Sequence, residues 1–100
     1  MVVNRTIQDF QKLMFILYGE RDQKRGIEKS LMWLQTEIGE LLEAYLKDDQ
    51  KSLQEEVADV FAWLCSVCNL LNIDIENAAW KKYPFYCPKC GVSPCECQSL

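Results

Sequence analysis

The sequence predicts an all-α protein, a four-helix bundle ending in a short cysteine-rich tail, and three observations carry that reading. Apolar residues recur at steps of three and four along the long segments, the spacing of a buried helix face. No stretch alternates with a two-residue period, and no repeat of solenoid length appears. From Tyr86 the composition shifts to "YCPKCGVSPCECQSL", which holds four of the six cysteines and is too short to own a core. One small helical domain is therefore expected over 1–84, with a separate tail over 85–100.

The first helix is expected over Thr6 to Tyr18, with apolar residues at Ile7, Phe10, Met14 and Leu17 and Thr6 as N-cap. A polar turn, "GERDQKRG", follows and carries Arg21, Lys24 and Arg25. The second helix is expected from Ile27 to Leu46, with a stripe at Ile27, Leu31, Leu34, Ile38, Leu41 and Tyr45. After "KDDQ" comes a third, Ser52 to Leu71, striped at Leu53, Val57, Val60, Leu64, Val67 and Leu71. A short fourth helix, Asp74 to Tyr83, is opened by Asn72 or Asp74 and closed before Pro84.

Composition narrows the chemistry. Net charge is −4 and histidine is absent, which argues against a nucleic-acid-coating surface and confines metal ligands to oxygen and sulfur. A general base must then come from a carboxylate, a lysine or metal-activated water. No apolar run approaches bilayer length, so no membrane partner is expected. Met1-Val2-Val3-Asn4-Arg5 leads straight into an amphipathic pattern, which suggests a cytoplasmic chain with reduced thiols.

Acids stand three apart at Glu37 and Glu40, and again at Glu56 and Asp59. Each sits one residue before a stripe position, so both pairs are turned by about 100° from their stripes in the same sense. A short connection makes the two helices antiparallel neighbours, which keeps equal rotations on one side of the pair. Glu40 and Glu56 are both eight residues from Asp48, and Glu37 and Asp59 both eleven. Trp33 and Trp63 continue these columns, as do Ser30 and Ser66. Four carboxylates at one level repel unless a cation neutralises them, and hard oxygen ligands suit Mg²⁺ or Mn²⁺. Against this stands the ordinary reading, in which acids flanking an apolar stripe are solvated. Glu43 and Glu55 lie off the column and read as solvated or supporting.

The pattern Glu37-Ile38-Gly39-Glu40 followed by Glu56-Val57-Ala58-Asp59 resembles the ExxE…ExxD signature of the MazG-like nucleotide pyrophosphohydrolases, an all-α family. "EIGELLEA", "LQEEVADV" and "NIDIENAAWKKY" also resemble the family, and the likeness spans about Ile7 to Tyr83. The resemblance implies Mg²⁺-dependent hydrolysis of a nucleoside triphosphate to monophosphate and pyrophosphate, clearing aberrant or surplus nucleotides. It also implies a homodimer or a dimer of dimers. Glu37, Glu40, Glu56 and Asp59 become the catalytic and Mg²⁺-holding set. The family often carries an arginine a few residues after its final lysine, where this chain has Pro84, Phe85 and Tyr86. Triphosphate contacts then fall to Lys81, Lys82 or Arg25. Trp33 is a candidate for base stacking, weighed against packing, while Trp63 leans towards packing.

Cys87-Pro88-Lys89-Cys90-Gly91 resembles a zinc knuckle, and Cys95 and Cys97 supply a second pair, enough thiolates for one structural Zn²⁺. Disulfides and an iron–sulfur cluster are the alternatives. Cys65 and Cys68 lie within an apolar helix and read as small buried residues. Two other functions compete with the hydrolase. One is a catalytically weak nucleotide-binding or regulatory protein on the same scaffold, and the other an interaction module that docks through its tail.

Overall fold

A computed structural model describes residues 4–98, in which the chain is all-α. Its helices are α1 (Ile7–Arg25), α2 (Ile27–Leu46), α3 (Gln50–Leu70) and α4 (Ile75–Lys82), with no strand among the described residues. Met1 to Val3, part of the stretch on which the cytoplasmic expectation rests, lie outside them. No single helix among the described residues is long and apolar enough to cross a membrane.

Thr6 opens α1 through a capping box. Its hydroxyl accepts from the Asp9 backbone N–H at 3.0 Å, and its own N–H donates to the Asp9 carboxylate at 3.3 Å. The expected turn after Tyr18 is instead helix through Arg25. Lys24 and Arg25 in the last turn complement the helix dipole, and Arg25 pairs with Asp22 one turn earlier at 2.8 Å. The helix stops at Gly26, whose φ of 86° and ψ of 164° are open to glycine and almost nothing else. That single residue is the whole joint to α2.

Lys47 to Asp49 turn the chain back, with Asp48 at a φ of 53° and Asp49 capping α3 through the Ser52 backbone N–H and hydroxyl. Asp74, rather than Asn72, caps α4 by accepting from the Asn77 N–H at 3.1 Å. A buried amide ties this corner to α1. Gln11 donates to Asn69 and to the Ile73 carbonyl, and accepts from the Ile75 N–H. All its polar atoms are thereby satisfied inside the protein.

Helices α2 and α3 pair most extensively, α1 lies along α3, and α4 rests on α1. Their shared interior follows the predicted stripes only in part. Its most buried residues are Met14, Ser30, Ala44, Cys65, Ser66, Val67 and Cys68, with Gln11 and Asp22 buried beside them. Along the stripes of α2 and α3, Ile27, Leu34, Leu41, Leu53 and Val60 are half-buried, whereas Leu31, Ile38, Tyr45, Val57, Leu64 and Leu71 stay exposed, as does Leu17 on α1.

Two dimensions show the result. Accessible surface is 8250 Å², against about 5,900 Å² for a compact monomer of this mass. The radius of gyration is 16.1 Å, against about 13 Å for a compact domain of this length.

A carboxylate cluster beside an aromatic cleft

The α2–α3 pair also draws two of the acids partly inward. Glu37 on α2 and Glu56 on α3 are both half-buried at the helix pair, and Asp59 is exposed one turn along α3. One carboxylate oxygen from each lies within 4.8 Å of the other two. Glu40 stands outside this tightest group but near enough to act on it. Burial first, then the carboxyls of Glu56 and Glu40, push the Glu37 pKa up to about 7. Glu56 is also raised, by burial first, with Glu40 and Asp59 adding charge repulsion.

Glu37 Oε2 and Glu56 Oε2 are shielded from water and have no hydrogen-bond partner. Buried carboxylate oxygens are seldom left so. The donor set is all oxygen and carries excess negative charge, which fits a hard divalent cation such as Mg²⁺ or Mn²⁺. Glu43, off the column, forms a surface ion pair with Lys47 at 2.7 Å.

Asp59 also belongs to the wall of a cleft of about 290 Å³ between α1 and α3. Met14, Tyr18, Arg21, Asp22 and Arg25 form its α1 side, and Ala62, Trp63 and Ser66 continue its α3 side. Trp63 is therefore the tryptophan in the cleft. Trp33 stacks against it, ring centroids 6.0 Å apart and planes 13° from parallel, and is itself half exposed. The Arg25 guanidinium lies 4.6 Å from the Trp63 ring centroid, donates to Asp22 at 2.8 Å and reaches the Ser30 hydroxyl at 3.3 Å. Lys81 and Lys82 are exposed on the last turn of α4 and are not part of the cleft wall.

Sequence reasoning missed Asp22. A signal was present: Gln11, Met14, Tyr18, Asp22 and Arg25 share one helical face across the segment taken for a turn.

The sequence from 25 to 91 matches the model of the MazG nucleotide pyrophosphohydrolase domain. The chain belongs to the MazG family. The matched span holds both acidic pairs of the MazG signature on α2 and α3, and it takes in the first two cysteines of the tail. Most of α1 precedes it, so this MazG domain shares its cleft with a helix beyond the family match. No curated protein matches the chain.

The tail gathers a second cluster. Sγ atoms of Cys87, Cys90, Cys95 and Cys97 all lie within 4.8 Å of one another, and Cys87 and Cys97 are 3.6 Å apart. The edge of a tetrahedron with Zn–S bonds of about 2.3 Å is close to this, at about 3.8 Å. Backbone N–H groups of Glu96 and then Val92 lower the Cys90 thiol to about 6, and those of Cys90 and Lys89 lower Cys87. Gly91, at a φ of 76°, closes the first turn by donating to the Cys87 carbonyl at 2.8 Å. Cys65 and Cys68 are buried in α3, and burial pushes the Cys65 thiol up to about 11. Such a thiol is unreactive.

Proposed function

We propose that this MazG-family protein hydrolyses a nucleoside triphosphate to the monophosphate and pyrophosphate with Mg²⁺, Mn²⁺ serving as a substitute. The observation that carries the reading is the carboxylate cluster with two buried, unpaired oxygens opening onto an aromatic cleft. Glu37, Glu56 and Asp59 hold the metal, and Glu40 completes the set from the next turn of α2. The bound ion supplies positive charge that joins this acidic site to a polyanionic triphosphate and offsets charge developing in the transition state.

The chain's own groups do the remainder. The two helices hold the carboxylates on facing turns, which limits how far the side chains reorganise as charge develops. One of the four acids takes the proton from the attacking water, and the α-phosphate is the centre attacked. Arg25 and the lysines Lys81 and Lys82 are the phosphate-contacting candidates of this chain. Arg25 has the better position, because it already stands in the cleft wall. Trp33, half exposed and backed by Trp63, offers the flat surface on which a base stacks.

Two further readings complete the proposal. The tail cysteines hold one Zn²⁺ with no open position, a structural rather than catalytic site, supported by the sulfur spacing and the N–H groups directed at Cys90 and Cys95. The outward apolar stripes of α2 and α3 pack against a second copy to give a homodimer, or a dimer of dimers. An excess surface of roughly 2,400 Å² over a compact monomer is the area an obligate interface covers. Neither nucleic acid nor a membrane enters this reading.

The deciding experiment is a pyrophosphate-release assay over a panel of nucleoside triphosphates with Mg²⁺. Turnover that vanishes in both Glu40→Gln and Asp59→Asn, with helical circular dichroism unchanged, is the expected result. Undiminished turnover in both variants would remove these acids from the mechanism. Tight nucleotide binding without product would instead favour a regulatory protein on the same scaffold.

A further inference from the structure

Charge sorts the groups around the α1–α3 cleft, whose charged residues are Arg21, Asp22, Arg25 and Asp59. Asp22 is 2% exposed and holds the Arg25 guanidinium at 2.8 Å, so these two balance each other within the wall. Arg25 is also tied to the Ser30 hydroxyl at 3.3 Å and lies 4.6 Å from the Trp63 ring centroid. It is a fastened strut. Arg21 is different. It lines the cleft one turn earlier on α1, is exposed, and forms no ion pair among the described residues. It also borders a hollow outside the cleft, with Leu17 and Glu20, so it stands at the rim. Asp59 belongs to the carboxylate cluster. With a divalent cation in that cluster, Arg21 is the one charge of the cleft that lacks a counter-ion among the described residues.

The base has a place elsewhere. Trp63 is half-buried and already carries two flat partners, Trp33 and the Arg25 guanidinium. The free aromatic surface is that of Trp33, which is half exposed and lines a separate hollow with Lys29, Met32 and Thr36. Glu37 follows Trp33 by four residues, on the same face of α2. This hollow therefore adjoins the carboxylate cluster from α2, as the cleft adjoins it through Asp59 on α3. A triphosphate held at the cluster by its α-phosphate sends its base one way, over Trp33. Its two outer phosphates go the other way, into the cleft.

We propose that the α1–α3 cleft receives the two phosphates that leave as pyrophosphate, and that Arg21 closes on them from the rim. The proposal rests on the pyrophosphohydrolase reading and assigns each part of the substrate to a wall of that same site. A guanidinium fork meets two phosphate oxygens at once, and its planar donors suit that geometry better than an ammonium does. An arginine with no ion pair breaks none when it binds. Monophosphates lack the two outer phosphates and gain nothing from Arg21, so this residue separates substrate from nucleotide product. Free pyrophosphate, by the same contact, occupies the cleft without any base.

The test compares the whole wild-type chain with Arg21→Ala and Lys24→Ala, all with Mg²⁺. Lys24 is an exposed cation of the same helix that does not line the cleft, so it reports the general field of the surface. Arg21 is exposed, and circular dichroism checks that its truncation leaves the fold intact. Calorimetry reads dissociation constants for inorganic pyrophosphate, and for the monophosphate and α,β-methylene triphosphate of each common nucleoside. Arg21→Ala should weaken pyrophosphate and the triphosphate analogues by about tenfold or more, and leave the monophosphates within about twofold. Lys24→Ala should match the wild type. Unchanged pyrophosphate binding in Arg21→Ala overturns the proposal. So does a loss that the monophosphates share, an equal loss in Lys24→Ala, or a wild-type chain that binds no pyrophosphate. Each of these leaves the hydrolase reading intact where triphosphates are still turned over. Selective loss in Arg21→Ala without any turnover by the wild type upholds the contact and removes the hydrolase reading instead.

Discussion

Glu37 sits among three other acids, and its carboxyl responds by holding a proton up to about pH 7 in the metal-free protein. The sign of the consequence is fixed. A raised pKa in the folded state stabilises the fold fully below the ordinary value of 4.5 and ceases to do so as pH rises through about 7. Metal-free protein should therefore melt at a lower temperature at pH 8 than at pH 5.5. Mg²⁺ should restore more at pH 8, where it need not displace a proton. Calorimetric titrations in buffers of different ionisation enthalpy should show proton release on binding at pH 6 that fades by pH 8. That Glu37, Glu56 and Asp59 come together was legible in the sequence, because spacing and distance from Asp48 place them without knowledge of packing. The burial of Asp22 was not legible, because burial and pairing are properties of the folded interior.

Helix α1 shows where local signals end. Its capping box and its first turns follow from Thr6 and Asp9, but its second half has no apolar stripe after Leu17, and a run of charges there reads equally well as a turn. Burial of Asp22 and its pair with Arg25 keep it helical, and both need α3 as a neighbour. The single joint at Gly26 then sets how α1 lies along the cleft. Gly26→Ala meets no neighbouring atom within 4 Å, so its cost is conformational, about 1–3 kcal/mol. Chemical denaturation should show that loss, and nucleotide binding should weaken with it as Asp22 and Arg25 shift. The tail is a contrasting element, specified almost entirely by its cysteines and Gly91. Cys90→Ser combined with Cys95→Ser should remove one zinc per chain by elemental analysis and leave the helical signal unchanged.

At the scale of the molecule the all-α class was readable from periodicity alone, whereas the face each helix buries was not. The stripes at Ile38, Tyr45 and Val57 have the spacing of a core, and spacing cannot tell a core within one chain from an interface between two. Ile38→Asp should convert the assembly to monomers in sedimentation velocity while leaving the carboxylate cluster chemically intact. The interior that a single chain encloses is thin, made largely of serine, alanine and cysteine side chains, whose burial contributes little beside that of leucine or phenylalanine. Folding and meeting a partner then become one bimolecular event. The midpoint of thermal unfolding should climb with the logarithm of protein concentration, and newly made chains at low copy number should be short-lived until they find each other.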